Sequence, residues 1–175
     1  MTVAAPQHRS TIPTPTPRPG TRDSAGEAGW LELTQAVREA GQYPTVAVAE
    51  AVTRIVLSSL GTHVTGDERV ALAQSLPPEA GRVVASQIPV VHPLPAREFV
   101  ELVASRIEGS TPATARWDVS SVLGVLADQL DEPLTTRILA QLPHGYALLF
   151  GRADLAPPMP STTPMGPIAP TAPTA

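Results

Sequence analysis

Cysteine and lysine are both absent from this chain of 175 residues, and aromatic residues make up only 3% of it. Without cysteine the chain cannot supply a disulfide, a thiolate nucleophile or the ligands of an iron–sulfur cluster. Without lysine it has neither a Schiff-base amine nor the lysine of a Walker-type phosphate loop. These absences exclude several classes of enzyme.

Positive charge is also scarce, with 12 arginines against 16 acidic residues and a formal net charge of −4. The arginines are spread singly, so no stretch could neutralise several phosphates in a row, and nucleic acid is a disfavoured partner. No apolar run approaches the roughly 20 residues that a membrane-spanning helix needs, and the N-terminus has no signal-peptide core. We therefore expect a cytoplasmic protein that does not enter a membrane.

Proline is concentrated at the two ends: it supplies five of the first 29 residues and seven of the last 23, against nine in between. Such segments bury too little apolar surface to offset the entropy of ordering, about 1–2 kcal/mol per residue for the backbone. We predict disordered tails at residues 1–27 and 153–175 and one domain at residues 28–152. The period-three prolines of the C-terminal tail would also suit an SH3- or WW-type groove, so a recognition segment stays an alternative to a solvating tail.

The central segment contains an internal repeat. Residues 56–77 align without gaps with residues 122–143, at an offset of 66, and the apolar positions of both segments step as on one face of a helix. A weaker match, at an offset of 69, relates the segment from Trp30 to the segment from Phe99. No run alternates as a strand would. The predicted fold class is therefore all-α: a compact helical bundle built from two tandem copies of a three-to-four-helix unit.

The copies are predicted to span residues 28–89 and 96–152, with residues 90–95 as a proline-containing linker. A Leu-Pro step ends the third helix of each copy, because proline disfavours a helical conformation in the residue before it. The segment after each step should form a short helix that folds back over the others. Six side chains of these segments are expected to be buried: Val83, Val84, Ile88, Tyr146, Leu149 and Phe150.

Several polar residues predict where helices begin. Thr45 and Thr111 can each cap a long helix with a hydroxyl, and Asp131 can cap the helix after the second of these with a carboxylate. Thr65 and Glu68 have the spacing of a capping box, in which each side chain would bond the backbone N–H of the other.

The sequence offers little concentrated chemistry, since it has no glycine-rich phosphate loop, no G-x-S-x-G motif and no closely spaced pair of histidines. We expect His63 to face solvent or to act as a favourable cation at a helix C-terminus, and His144 to stand at a helix start. Asp128, Asp131 and Glu132 could offer oxygen ligands to a hard cation, although Asp131 already has a capping role. The sequence assigns no catalytic, cofactor-binding or metal-ligating residue and implies no cofactor.

A family resemblance is carried by the segments LAQSLPPEAGRVV and ILAQLPHGYALLFGR and by the helix AREFVELVASRI. Over about residues 30–152 the chain resembles the bacterial family catalogued as domain of unknown function 2267. The resemblance implies an all-α, internally duplicated domain of undetermined biochemistry and transfers no catalytic residues. The first copy departs from the pattern at Ser75, within the A-Q-L-P element, and at Ala80 and Val84, where the second copy has aromatic residues.

Three functions fit these observations. A non-enzymatic protein-interaction or adaptor module is favoured, with its partner bound in a groove or by the tails. The first alternative is a regulator that binds nucleic acid, although a helix-turn-helix at residues 46–76 would turn two carboxylates toward the phosphates. The second is an enzyme or metal site built from His63, His144 and the acidic residues between Asp128 and Glu132. The partner's identity and the oligomeric state are not encoded in any motif.

Overall fold

The structure, a computed structural model, describes residues 20–152 of the chain. Within these residues it contains eight α-helices and no strand, which confirms the predicted all-α fold. The helices are α1 (Gly20–Gly41), α2 (Val46–His63), α3 (Gly66–Ser75), α4 (Pro78–Ala85), α5 (Ala96–Arg106), α6 (Pro112–Gln129), α7 (Glu132–Gln141) and α8 (Tyr146–Leu149). The disorder predicted for residues 1–19 and 153–175 concerns residues outside the described part of the chain.

The two halves of the domain have matching central helices. Both α2 and α6 contain 18 residues and both α3 and α7 contain 10, and the bounds of each pair are 66 residues apart, as in the sequence alignment. The last helices differ, since α4 has eight residues and α8 has four. The correspondence concerns lengths and bounds; the duplication of one unit stays a prediction.

A single hydrophobic core joins the two halves. Helix α1 packs against α2, α4 and α6, and α2 packs against α5 and α6. Near the centre, the rings of Phe99 and Tyr146 lie 5.3 Å apart, and the His63 ring meets the Phe99 ring edge-on at 5.2 Å. Because each half contributes side chains to the same interior, neither half buries its apolar faces independently.

Among the described helices, none is by itself long and apolar enough to cross a bilayer. Only a pair, Ser24–Gly41 with Val46–His63, meets that test of length and composition, and the two members are bent by 98° relative to each other.

Helix α1 begins at Gly20, eight residues before the predicted start of the domain at residue 28. Its early turns pack through small residues: a Cβ added to Gly29 would lie 3.3 Å from Pro77, and one added to Gly26 would lie 3.6 Å from Pro78. Glycine therefore lets this part of α1 lie directly on the corner between α3 and α4. Apolar periodicity does not reveal such a contact, because no large side chain takes part in it.

Three of the four predicted caps are confirmed. Thr45, Thr111 and Asp131 each accept a hydrogen bond from the backbone N–H three residues later, at 3.3, 3.2 and 3.0 Å respectively. These bonds satisfy amide hydrogens that have no acceptor inside the helix.

The predicted capping box at Thr65 is wrong. The Thr65 side chain makes no capping bond. Instead, Oε1 of Gln141, on α7, accepts a hydrogen bond from the Thr65 N–H at 3.2 Å, while Nε2 of Gln141 donates to Glu68. Arg137 also reaches Glu68, with Nε 3.7 Å from Oε1. Partners from the other half therefore replace the local bonds, and the start of α3 is tied to α7.

Both Leu-Pro corners form as predicted, with Leu76 and Leu142 ending their helices in extended conformations. Of the six side chains expected to be buried after them, four are: Val84, Tyr146, Leu149 and Phe150. Val83 is only partly buried. The prediction for Ile88 is wrong, since this side chain is 85% exposed. Helix α4 ends at Ala85, so Ile88 belongs to the connection that runs from there to α5.

Candidate interaction site

An open groove runs along the surface where α3 and α4 meet in the first half of the domain, and we call it the α3–α4 groove. Its volume is about 550 Å³. The floor and walls are largely small or apolar, formed by Val70, Ala73, Pro78, Gly81 and Ala85. Arg69 and Arg82 are the charged residues that line it. On the α3 side, Val70 is 55% exposed, so an apolar side chain on a helix faces the open space.

Glycine at position 81 sets the close approach of the two helices that form the groove. A Cβ added to Gly81 would lie 2.2 Å from the carbonyl oxygen of Ala73, which is backbone and cannot move aside cheaply. Any other residue would therefore push α4 away from α3. The Leu-Pro corner just before α4 turns the chain so that this contact can form.

Arg69 closes one end of the groove by binding the C-terminus of α4. Its Nη2 donates to the carbonyl oxygens of Val84 at 3.1 Å and Ala85 at 2.9 Å, and also to that of Gln87. These acceptors include carbonyls that have no partner inside the helix. Arg69 forms no ion pair with the described carboxylates, so its positive charge is met only by neutral carbonyl groups.

Arg82 stands at the rim and belongs to a chain of ion pairs. Glu79 accepts from Arg82 and from Arg54, each at 2.8 Å, and Arg54 also contacts Glu50 at 3.0 Å. The Arg54 guanidinium lies 4.7 Å from the centre of the Trp30 ring, within the range of a cation–π contact. The hydrogen bond from Arg54 lowers the pKa of Glu79, and the bond to Glu79 raises the pKa of Arg54. This network holds α4 against α1 and α2.

The second half contains a corresponding groove of about 410 Å³ between α7 and α8. Most of its lining stands 66 residues after lining positions of the α3–α4 groove. The matched pairs are Gly66 with Glu132, Val70 with Thr136, Ala73 with Leu139, Gln74 with Ala140, Pro78 with His144 and Gly81 with Ala147. The charges differ, because Glu132 in the second groove is paired with Arg152, whose hydrogen bond lowers the pKa of Glu132.

The structure contradicts the expectation that His63 faces solvent. Its side chain is buried beneath α5, with Nδ1 2.7 Å from the carbonyl oxygen of Ser59 and 2.8 Å from Oγ1 of Thr62. Nε2 has no protein partner. Burial lowers the pKa of His63, so the neutral ring is favoured. His63 is therefore a core residue that lies between the two halves of the domain.

Of the residues of the alternative metal site, Glu132 and His144 line the same groove, between α7 and α8, whereas His63 lies in the core. Within the described part of the chain, no three side chains of His, Cys, Asp or Glu are grouped so that they could hold a metal ion. Asp131 caps α7, Glu132 is paired with Arg152, and His144 lines the groove between α7 and α8. Asp128 is exposed at the end of α6.

The sequence analysis missed one buried polar pair. Tyr43 donates a hydrogen bond to Oδ1 of Asp118 at 2.6 Å, and Asp118 is only 4% exposed. Burial raises the pKa of both groups. Next to this pair, Trp117 Nε1 donates to the carbonyl of Gly41 at 3.1 Å. The two bonds fasten the α1–α2 loop to α6, and no local pattern indicates them because the partners are 75 and 76 residues apart.

These features define an all-helical domain with one core and open surface grooves. The chain belongs to the family of uncharacterized conserved proteins designated DUF2267, whose family model matches residues 30–149. The match confirms the resemblance noted from the sequence, and it runs from within α1 to the last residue of α8. A comparison with curated proteins gave no match.

Proposed function

We propose that this chain is a non-enzymatic protein-interaction module that binds a short segment of a partner protein in the α3–α4 groove. The observation that carries the proposal is the groove itself: a space of about 550 Å³ with an apolar lining and a half-exposed valine at its edge. Concave, largely apolar spaces of this volume are typical of binding sites.

The dimensions of the groove suit a short peptide segment. Helix α3 has 10 residues, which at about 1.5 Å per residue gives a wall of about 15 Å. A segment of two or three helical turns could lay one apolar face along a wall of that length. The lining residues Ala73 and Ala85 have small side chains, so they leave room for larger side chains of a partner.

Binding to nucleic acid has less support, because the net charge is −4 and six arginines of the described residues already bond groups of this chain. Guanidinium groups that bond carboxylates, carbonyls or hydroxyls of this chain belong to Arg54, Arg69, Arg82, Arg106, Arg137 and Arg152. A phosphate backbone would have to compete with these partners.

Site-specific photo-crosslinking in cells tests the proposed module. A photoreactive residue is placed at position 70, in the groove, and in a matched protein at position 48, where another valine on a helix is 41% exposed outside the groove. We expect a discrete crosslinked partner from position 70 and none from position 48. Equal labelling from both positions, or no product from position 70, would contradict the proposal.

A further inference from the structure

We propose that the segment bound in the α3–α4 groove is acidic and amphipathic, with bulky apolar side chains flanked by carboxylates. This inference rests on the proposed function and adds the chemistry of the partner. It comes from the uneven distribution of charge around the groove.

The charged lining of the groove has one sign. Both charged lining residues are arginines, in a chain whose formal net charge is −4. Arg69 is bonded to carbonyl groups and not to a carboxylate. Arg82 shares the carboxylate of Glu79 with Arg54, which also contacts Glu50, so this network balances two arginines with two glutamates. The lining itself contains no carboxylate, so the charge that the groove presents to an occupant is positive.

The two acidic side chains of α3, Asp67 and Glu68, do not line the groove. Glu68 is directed to α7, where it accepts from Gln141 and lies near Arg137. Arg82 has a side chain that is 72% exposed, so its guanidinium can contact a ligand at the rim. Arginine suits this contact because its planar donors match a carboxylate in pairs.

The apolar residues that line the groove indicate the apolar part of the ligand. Val70 and Pro78 offer apolar contact surface, and the small side chains of Ala73 and Ala85 leave room beside it. Leucine, isoleucine or phenylalanine of a partner would remove this surface from water, at about 25 cal/mol for each Å² buried. The ligand thus combines apolar anchors with acidic neighbours.

The corresponding groove of the second half keeps apolar lining at Leu139 and Leu142 but differs at its more polar positions and in its charge. Thr136 and His144 stand where the first groove has Val70 and Pro78, and Glu132 neutralises Arg152 inside the groove. A preference for acidic amphipathic segments is therefore expected in the first half only, which gives the two halves different roles.

A random peptide library displayed on phage, selected against the full chain, tests this inference. We expect the selected peptides to combine leucine, isoleucine or phenylalanine with an excess of aspartate and glutamate. Synthetic copies, measured by fluorescence anisotropy, should bind Val70→Asp at least tenfold more weakly than the wild type. Arg82→Gln should weaken binding severalfold, and added salt should weaken it further.

Two control variants separate the groove from general effects. Val48→Asp introduces the same substitution on α2 outside the groove, and Arg97→Gln removes an arginine from a different helical ion pair, with Glu101. Both should bind the peptides as the wild type does. Peptides that need Val70 but carry no acidic excess and ignore Arg82→Gln would overturn the inference alone. A selection that yields no peptide dependent on Val70 would overturn the proposed function as well.

Discussion

Among the described residues, one histidine and one carboxylic acid, His63 and Asp118, lie buried in the core, at 1% and 4% exposure. Each has hydrogen-bond partners for only part of its polar surface, and burial disfavours the charged form of both. Burial lowers the pKa of the histidine and raises the pKa of the aspartate. The two residues should therefore make the stability of the fold depend on pH in opposite directions.

The first prediction concerns His63. Because its pKa in the folded state is below the unfolded value of 6.5, the unfolded chain takes up the proton first as the pH falls. The contribution of His63 to stability is therefore complete above about pH 6.5 and is lost as the pH falls toward the folded-state pKa. Urea denaturation followed by circular dichroism should show a larger loss between about pH 7.5 and 5.5 for the wild type than for His63→Gln. Equal losses would show that the imidazole does not cause this dependence.

The second prediction concerns the bond between Tyr43 and Asp118. The raised pKa of Asp118 means that its contribution to stability is complete below its unfolded pKa of 3.8 and is lost as the pH rises through the folded value. At neutral pH the buried carboxylate thus depends on the Tyr43 hydroxyl. Tyr43→Phe should lower the free energy of unfolding by roughly 1–3 kcal/mol.

A double-mutant cycle shows whether that cost comes from the pair. With Asp118→Asn already in place, removing the Tyr43 hydroxyl should cost clearly less, because no buried charge is left without its donor. Denaturation of the four proteins at pH 7 gives the coupling energy. Additive losses would mean that the hydroxyl stabilises the fold independently of the carboxylate.

At the scale of single helices, the corresponding starts of α3 and α7 provide a matched comparison. Asp131 caps α7 through its side chain, whereas Thr65, at the same position before α3, makes no such bond. Asp131→Ala should therefore cost roughly 0.5–2 kcal/mol, the usual range for a lost cap. Thr65→Ala should cost much less, and the two values can be compared by chemical denaturation. A loss at Thr65 as large as that at Asp131 would contradict the bonding described for α3.

Local sequence patterns predicted helices better than they predicted how helices meet. The bounds of α2 and α6 agree with the alignment because cap residues and apolar spacing are local properties. The early start of α1 was missed because its contacts run through Gly26 and Gly29. The burial predicted for Ile88 is wrong because α4 ends three residues earlier. The bond between Tyr43 and Asp118 was missed because it joins residues that are distant in sequence.

On the scale of the whole molecule, the candidate site could be predicted only in general terms. The sequence indicated an interaction module without catalytic motifs and left open whether the partner binds a groove or the tails. The α3–α4 groove depends on the approach of two helices at Gly81 and on Arg69 reaching the end of α4. Neither contact follows from periodicity, because both are set by how the helices cross.

The extent of the folded unit gives a prediction at this scale. A fragment of residues 20–152 should melt at nearly the temperature of the full chain, since the proline-rich ends offer little apolar surface to bury. A fragment of residues 28–152 should melt several degrees lower, because it loses the turn of α1 in which Gly26 packs on Pro78. Differential scanning calorimetry of the three proteins tests this, and equal melting of both fragments would contradict it.

The central claim is that the α3–α4 groove is the binding surface of this domain. Its most direct test is an NMR titration of the isotopically labelled full chain with the tightest peptide selected from the library. Binding in the groove should shift amide signals that cluster at Val70, Ala73, Gly81 and Ala85 and should leave that of Val48 unchanged. Shifts centred on α7 and α8, or spread over the surface without a cluster, would contradict it.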